Sequence, residues 1–332
     1  MSASTQLRSS PTTRRRSWRG RLLGILAALS VLLPFWVLAR SQLISSPGGK
    51  LEKVWGVQGL RPGQFQRPRA MAIAANGELY VVDKSARIQV FDQDGNYLRG
   101  WRTPDYANGK PTGLSFDGDG NLMVADTHYF RILFYRPDGT LLDEKTLGGT
   151  FGAGPGEFGL VTDAVTDSQG NIYVAEYGDF DRIQKFSPDG KFLFEWGGHG
   201  SEPGQFVRPQ NLAIDEQDHI WVVDACNDRV QVFDARGDSA TLIQVWGESG
   251  AAPGQLRYPY DIVLSPDGFV YICEFGNHRV QKFTRDGQPV DSWGSQGRGP
   301  GQLFNPWSIV QDDRGRIHVL DTYNHRMQRI RL

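Results

Sequence analysis

The stretch from 219 to 237, HIWVVDACNDRVQVFDARG, decides the fold. A β-branched run ends in Asp224, a short polar loop ends in Arg229, a second apolar run follows, and a turn closes the unit. Strand, loop, strand and turn make half of a small antiparallel sheet. The same half recurs as ELYVVDKSARIQVFDQDG from Glu78, NLMVADTHYFRILFYRPDG from Asn121 and NIYVAEYGDFDRIQKFSPDG from Asn171. It recurs again as FVYICEFGNHRVQKFTRDG from Phe269 and RIHVLDTYNHRMQRIRL from Arg316.

The carboxylates that end the first run, Asp83, Asp126, Glu176, Asp224, Glu274 and Asp321, are spaced 43, 50, 48, 50 and 47 residues apart. A repeat of that length with four strand signals is a propeller blade. The innermost strand follows a proline or its equivalent (70–74, 211–215, 261–265), two strands flank the carboxylate-to-arginine loop, and the outermost ends at Trp101, Trp196, Trp246 or Trp293. Six units predict an all-β, six-bladed β-propeller over 51–332. The sixth unit stops at Leu332 after its third strand, and LEKVWG (51–56) reads like FLFEWG (192–197) and LIQVWG (242–247). Residues 51–55 are therefore expected to close the ring as the missing outer strand and remove an exposed edge.

Residues 1–49 are of another kind. A basic tail over 1–21, with Arg8, Arg14, Arg15, Arg16, Arg19 and Arg21, precedes an 18-residue apolar run, Leu22 to Ala39, and a linker over 40–50. Such a run just spans a hydrocarbon core of about 30 Å, and the arginines orient it with its N-terminus in the cytoplasm. The expectation is a transmembrane helix acting as a signal anchor. A signal peptide cleaved after Val37-Leu38-Ala39 is the rival, and both export the propeller; a buried core helix is the third reading. These 49 residues hold seven Lys+Arg and no Asp+Glu, which leaves 29 basic against 37 acidic residues in 50–332, a net of −8. An acidic propeller argues against nucleic acid as a partner. The two cysteines fall in unlike places, Cys226 in a loop and Cys273 mid-strand in the next unit; two free thiols are expected, although export would permit a bridge.

The pattern Pro-Gly-Gln-Phe/Leu (62–65, 203–206, 253–256, 300–303), then Arg/Tyr/Asn-Pro, a hydrophobic strand, an Asp-Gly-type turn and Tyr/Trp-Val-Val/Ile-x-Asp/Glu…Asn-x-Arg-Val-Gln-x-Phe resembles NHL repeats. The resemblance covers 51–332 and implies a six-bladed propeller. It specifies function less, because proteins of this kind include protein-binding and RNA-binding modules and enzymes. In the NHL-like amidating lyase the zinc-binding histidines follow the proline at the start of inner strands; here those places hold Arg69, Thr112, Thr162, Gln210, Tyr260 and Trp307. That zinc site does not carry over. Neither does ubiquitin-ligase activity, since the cysteine-rich zinc domains of the tripartite-motif relatives need more than two cysteines.

A charged pair in every unit, from Asp83–Arg87 to Asp321–Arg326, reads as structural, because a catalytic site occurs once; a ring of carboxylates holding cations is the functional alternative. Function is sought where the units differ. The first residues of the inner strands form the channel mouth, and Arg69, Asp163, Gln210, Asn211, Tyr260, Asp261 and Trp307 are the candidate ligand-binding residues. Asp163, Asn211 and Asp261 offer oxygens suited to Ca²⁺ or another divalent cation. The competing reading is that they cap amides at the strand starts. Loop residues such as Tyr106, His128, Tyr129, Tyr177, Tyr258, Phe275, His278, Tyr323 and His325 either grip a partner or pack against one another. The divergent TPDYANGKPTG (103–113) is the candidate specificity loop. The expected role is a membrane-anchored, extracytoplasmic scaffold that binds a protein, peptide or small ligand on its loop face. The alternative is a divalent-metal-dependent lyase or hydrolase working at the channel mouth through Asp163, Asn211 and Asp261.

Overall fold

A computed structural model describes residues 50–332. The predicted basic tail and membrane helix over 22–39 lie outside the described residues, and no helix among the described residues is long and apolar enough to cross a membrane. Six four-stranded antiparallel sheets stand around a central channel. Blade four runs outward from the channel through Pro209–Ile214, His219–Asp224, Arg229–Asp234 and Thr241–Trp246. The other blades repeat this order, and the inner strand of each packs against those on either side until the sixth meets the first.

The ring closes as the sequence requires. Leu51–Trp55 pairs antiparallel with Arg326–Ile330, Leu51 opposite Ile330 and Trp55 opposite Met327, and so supplies the fourth strand of the last blade. Trp55 then packs on Phe65 and Phe91 at centroid separations of 5.7 and 4.9 Å, which ties that strand to blade one. The fit is close at the Asp-Gly turn of blade one. Gly95 has φ +77°, and a Cβ there would sit 2.5 Å from the Trp55 ring, so only glycine satisfies both the turn and the contact.

Alternation within the strands builds the core. The middle strands, such as Leu79–Asp83 and Leu122–Asp126, are buried on both faces because each sheet packs between two others. The result is six apolar clusters, one per blade interface. The apolar residue of the Pro-Gly-Gln-Phe/Leu motif drops from the connecting loop into five of the six: Phe65, Phe206, Leu256 and Leu303 are fully buried, as is Phe158 of the variant Gly-Glu-Phe.

The repeated charged pair organises those loops. In blade four, Arg229 Nε donates to Asp224 Oδ2 at 2.8 Å, while its other nitrogens donate to the carbonyls of Ser201, Glu202 and Gln205 at 2.7, 3.0 and 2.9 Å. Asp224 Oδ1 accepts the Val207 amide at 2.8 Å, and Gln231 both donates to Gln205 O at 2.8 Å and accepts from Gly204 N at 2.9 Å. Each pair thus joins strand two to strand three and also clamps the loop that leads into its own blade. Ion pairs of this kind are present in all six blades. Buried carboxylates are tolerated only when so completely satisfied.

Blade two is the exception, and its parts vary together. Its connecting loop lacks the motif, Leu133 stands where the other blades have Gln89, Gln184, Gln231, Gln281 and Gln328, and its outer strand shrinks to Leu147–Gly148. With no motif amide to donate, Asp126 Oδ1 is buried without a partner, and burial pushes the Asp126 carboxyl up to about 6 despite Arg131.

A second latch runs around the channel itself. Asp163 Oδ2 of blade three accepts the Leu212 amide of blade four at 3.1 Å, and Asn211 Oδ1 accepts the Ile262 amide of blade five at 3.2 Å. Asp261 Oδ2 accepts the Ile309 amide of blade six at 2.8 Å, and Ser308 Oγ accepts the Met71 amide of blade one at 3.2 Å. Ala70 and Gly113, at the same place in blades one and two, have no side-chain acceptor, and Gly113 has no room for one, since a Cβ there would lie 2.2 Å from Thr162 O.

Two outcomes test this architecture. Trp55→Ala is expected to cost about 3 kcal/mol in denaturant unfolding, in the range for removing a large packed aromatic; a loss below about 1 kcal/mol would show that the closing strand is not held by that ring. Burial raises the Asp261 carboxyl from 3.8 to about 7, against the Ser308 hydroxyl and the Ile309 and Ile262 amides. The proton is therefore bound more tightly in the folded chain. The stability it contributes is complete below pH 3.8 and is lost as pH rises through about 7. Asp261→Asn, which reproduces the acceptor that blade four already uses in Asn211, removes that dependence. Its melting temperature should gain on the wild type steadily between about pH 5 and pH 8; a gap that stays constant with pH refutes the assignment.

Candidate functional site

The mouth of the channel is where the six units stop resembling one another. It opens from a cavity of about 230 Å³ lined by the start of every inner strand. Arg69, Asp163, Gln210, Asn211, Tyr260, Asp261 and Trp307 all line it, so the fold brings together the seven residues singled out from their sequence positions.

They lie in two tiers. Asp163 and Asp261 are in the deeper tier, 2% and 7% exposed, and Asn211 links the polar ring by donating to Asp163 Oδ2 at 2.8 Å. The oxygens proposed as cation ligands are largely committed to backbone amides, which is the capping role weighed against the metal. Burial, reinforced by the Asp261 charge, raises the Asp163 carboxyl well above its ordinary value. Both acids are thus biased toward the neutral form. Among the described residues no group of three or more His, Cys, Asp or Glu is placed to hold a metal. Asp163 Oδ1 is the one oxygen of this set left buried without a hydrogen-bond partner.

The upper tier is aromatic and cationic. Tyr260 and Phe275 stack at 4.5 Å with an interplanar angle of 24°, and Trp307 meets both edge-on at 4.9 and 5.7 Å. Tyr323 continues the wall from Phe275. The Arg69 guanidinium lies 5.4 Å from the Trp307 ring, and the Arg208 guanidinium sits over Tyr177 and Tyr260 at 4.8 and 5.1 Å. Arg208 Nε donates to Gln210 Oε1 at 2.9 Å, which fixes the amide and the guanidinium together.

Arg208 and Arg67, which are not among the seven residues expected from sequence, join Arg69 as cations at the mouth. Both precede prolines and both have positive φ, 65° and 47°. A residue before proline avoids the right-handed helical region. The left-handed turn adopted here, shared by Tyr258 and Asn305, redirects the side chain. The Arg/Tyr/Asn-Pro motif was the available signal.

The loop aromatics and histidines divide by role. His278 and His325 are braces, each presenting Nδ1 to a connecting-loop amide, Asn305 N at 2.9 Å and Arg67 N at 3.0 Å. Burial lowers the pKa of both, in keeping with neutral acceptors. Phe130, Phe151 and Phe180 pack on one another away from the channel. In the divergent loop of blade two, Asp105 pairs with Arg131 at 2.8 Å and Asn108 N donates to Tyr129 Oη at 3.0 Å, so this loop is anchored by contacts of its own. Tyr106 and Tyr258 remain 45% exposed, Tyr106 beneath the Arg102 guanidinium at the end of the outer strand of blade one. Cys226 is exposed and Cys273 buried, both as free thiols.

Comparison with known proteins agrees with this architecture. The NHL repeat profile matches residues 206–233 and 256–283, in blades four and five. Peptidylglycine alpha-amidating monooxygenase of Rattus norvegicus is 37% identical over 134 residues, 37% of this chain and 13% of that protein. NHL repeat-containing protein 3 of Mus musculus is 29% identical over 174 residues, 48% of this chain and 49% of that protein. The chain thus matches half or less of the length of these relatives. Among solved structures, a gluconolactonase from Xanthomonas campestris superposes with a TM-score of 0.61 at 13% identity, over 86% of this chain and 91% of that one. A streptogramin B lyase gives 0.57 at 12% identity, over 83% and 96%; at such identities these two likenesses concern the fold. Repeated motif, closed six-bladed ring and sequence relatives together place the chain in the NHL-repeat family of β-propellers.

Proposed function

We propose that this NHL-repeat propeller is a binding module that takes its ligand at the channel mouth, displayed outside the cytoplasm and tethered through residues 22–39. One observation carries the reading. The features present in every blade are consumed in holding the ring together, whereas the mouth differs from blade to blade and is walled by the half-buried Phe275 and Trp307 over a buried Tyr260, beside Arg69 and Arg208, which have no acidic partner. Large aromatic side chains flanked by guanidinium groups are the residue types that dominate binding energetics. Membrane placement rests on the arginine-flanked apolar run, which lies outside the described residues. No catalytic step is proposed, because the carboxylates at the channel are spent on amide capping.

The test uses the full-length protein in non-ionic detergent, screened for thermal stabilisation against a small-molecule and peptide library. Ligands of the mouth should raise the melting temperature of the wild type and of an Asp163→Asn control, and lose at least about 2 kcal/mol of binding in Tyr260→Ala and Trp307→Ala. Elemental analysis of the same preparation distinguishes the metal-dependent reading. One divalent ion retained per chain through dialysis, and lost in Asp163→Ala/Asp261→Ala, would overturn the binding module in favour of metal-assisted chemistry. A reporter enzyme fused after Leu332 should be active only in a form that folds outside the cytoplasm; activity of a cytoplasm-requiring reporter at that position would refute the exported topology.

A further inference from the structure

Among the described residues twelve of the 21 arginines pair with a carboxylate, and of the nine that do not, all are exposed except Arg69 and Arg208. Arg87, Arg131, Arg182, Arg229, Arg279 and Arg326 face the blade carboxylates, Arg99 faces Glu78, Arg316 faces Asp312, and Arg329 faces Glu52 and Asp94. The mouth breaks the rule. Arg69 is only partly exposed, yet among the described residues it makes neither an ion pair nor a side-chain hydrogen bond, and its recorded contact is the face of Trp307. Arg208 has an amide for a partner but no carboxylate. Burial, together with the charges of Arg208 and Arg67, lowers the Arg69 pKa from its ordinary value.

Withdrawing a guanidinium from water without a counter-charge is costly. Gathering three arginines around one opening in a domain of net charge −8 adds mutual repulsion to that cost. Beside Arg69, the Trp307 indole Nε1 is also buried with no acceptor. Two kinds of donor stand at the mouth, then, and the protein supplies neither with an oxygen.

We infer that the mouth binds a small organic acid, its carboxylate received by Arg69 with Arg208 beside it and its flat apolar body lying against Tyr260 and Trp307. This rests on the reading of the mouth as a ligand site and names the class of ligand. A carboxylate matches the planar fork of a guanidinium in a bidentate manner. The aromatic wall gives the rest of the molecule an apolar surface to cover, and a cavity of about 230 Å³ admits a molecule of roughly one ring and a short chain. The negative charge of the domain disfavours polyanions and leaves a singly charged acid as the better match.

Phenylacetate and its neutral isostere phenylacetamide form the probe pair, titrated into the full-length protein in non-ionic detergent at low ionic strength. Calorimetry gives the affinities, and ¹H–¹⁵N spectra follow the Trp307 indole signal, assigned by its loss in Trp307→Phe. Phenylacetate should bind at least about tenfold more tightly than phenylacetamide, weaken as salt is added, and shift the Trp307 indole resonance. Arg69→Met should abolish the discrimination while leaving the melting temperature unchanged or higher, because an uncompensated charge has been removed; Arg69→Lys should restore part of it. Equal binding of the two probes, both lost in Trp307→Ala, overturns the acid while the mouth remains a ligand site. Failure of both probes at about 10 mM, or binding indifferent to Arg69 and Trp307 alike, overturns the inference. If, in addition, no library ligand depends on the mouth, the binding-module reading falls with it. Inorganic phosphate, run as a third arm, should bind more weakly than phenylacetate; tighter binding would replace the organic acid with a phosphate group as the ligand.

Discussion

A buried carboxylate that must be fully satisfied is the constraint on which this ring depends. Asp224 sits at the end of a strand with no access to water, and the only arrangement that tolerates its charge delivers Arg229, Asn227, Gln231 and the Val207 amide to it at once. Those partners come from the hairpin loop, the third strand and the connecting loop. One electrostatic requirement therefore fixes three pieces of backbone, and the motif's apolar residue is carried into the blade interface as a result. Repeated around the circle, the same requirement makes each connecting loop a rigid part of the blade it leads into.

That rigidity explains how the mouth can vary. With the loops held by the carboxylate clusters and the inner strands latched by Asp163, Asn211, Asp261 and Ser308, the residues that project over the opening carry little of the folding burden. They are free to be Arg, Tyr or Trp. Blade two shows the converse. Where the motif is absent, the third-strand glutamine is absent too, the outer strand shortens, and Asp126 keeps an unpartnered oxygen.

What the sequence revealed and what it concealed follow the same division. Period, blade number, closing strand and charged pairs were legible because each is stated several times over, or, for residues 51–55, because a gap at one end matches a surplus at the other. The position of the seven mouth residues was legible by the same register. Their chemistry was not. Read as residue types, the carboxylates of Asp163 and Asp261 suit either a cation or caps on strand-start amides, and the distances to neighbouring amides show the caps. Arg208 was hidden by a backbone angle, since an extended residue before Pro209 would have sent its side chain elsewhere. The recurring residue-proline pair marks the place in the chain, but residue order does not give its positive φ.

The closing strand carries a consequence for how the ring is made and lost. Every other strand pairs within its own repeat, but Leu51 meets Ile330 across nearly the whole chain. Five blades and three-quarters of the sixth can assemble from local pairings, leaving an open arc whose last edge waits for a distant segment. Closure of that loop is the slow, entropically costly event in folding. The route back begins at the same seam: the first cooperative unit to open is the pairing of Leu51–Trp55 with Arg326–Ile330. Amide exchange along this seam therefore reads the opening of the ring, while exchange in the middle strands reads its complete loss.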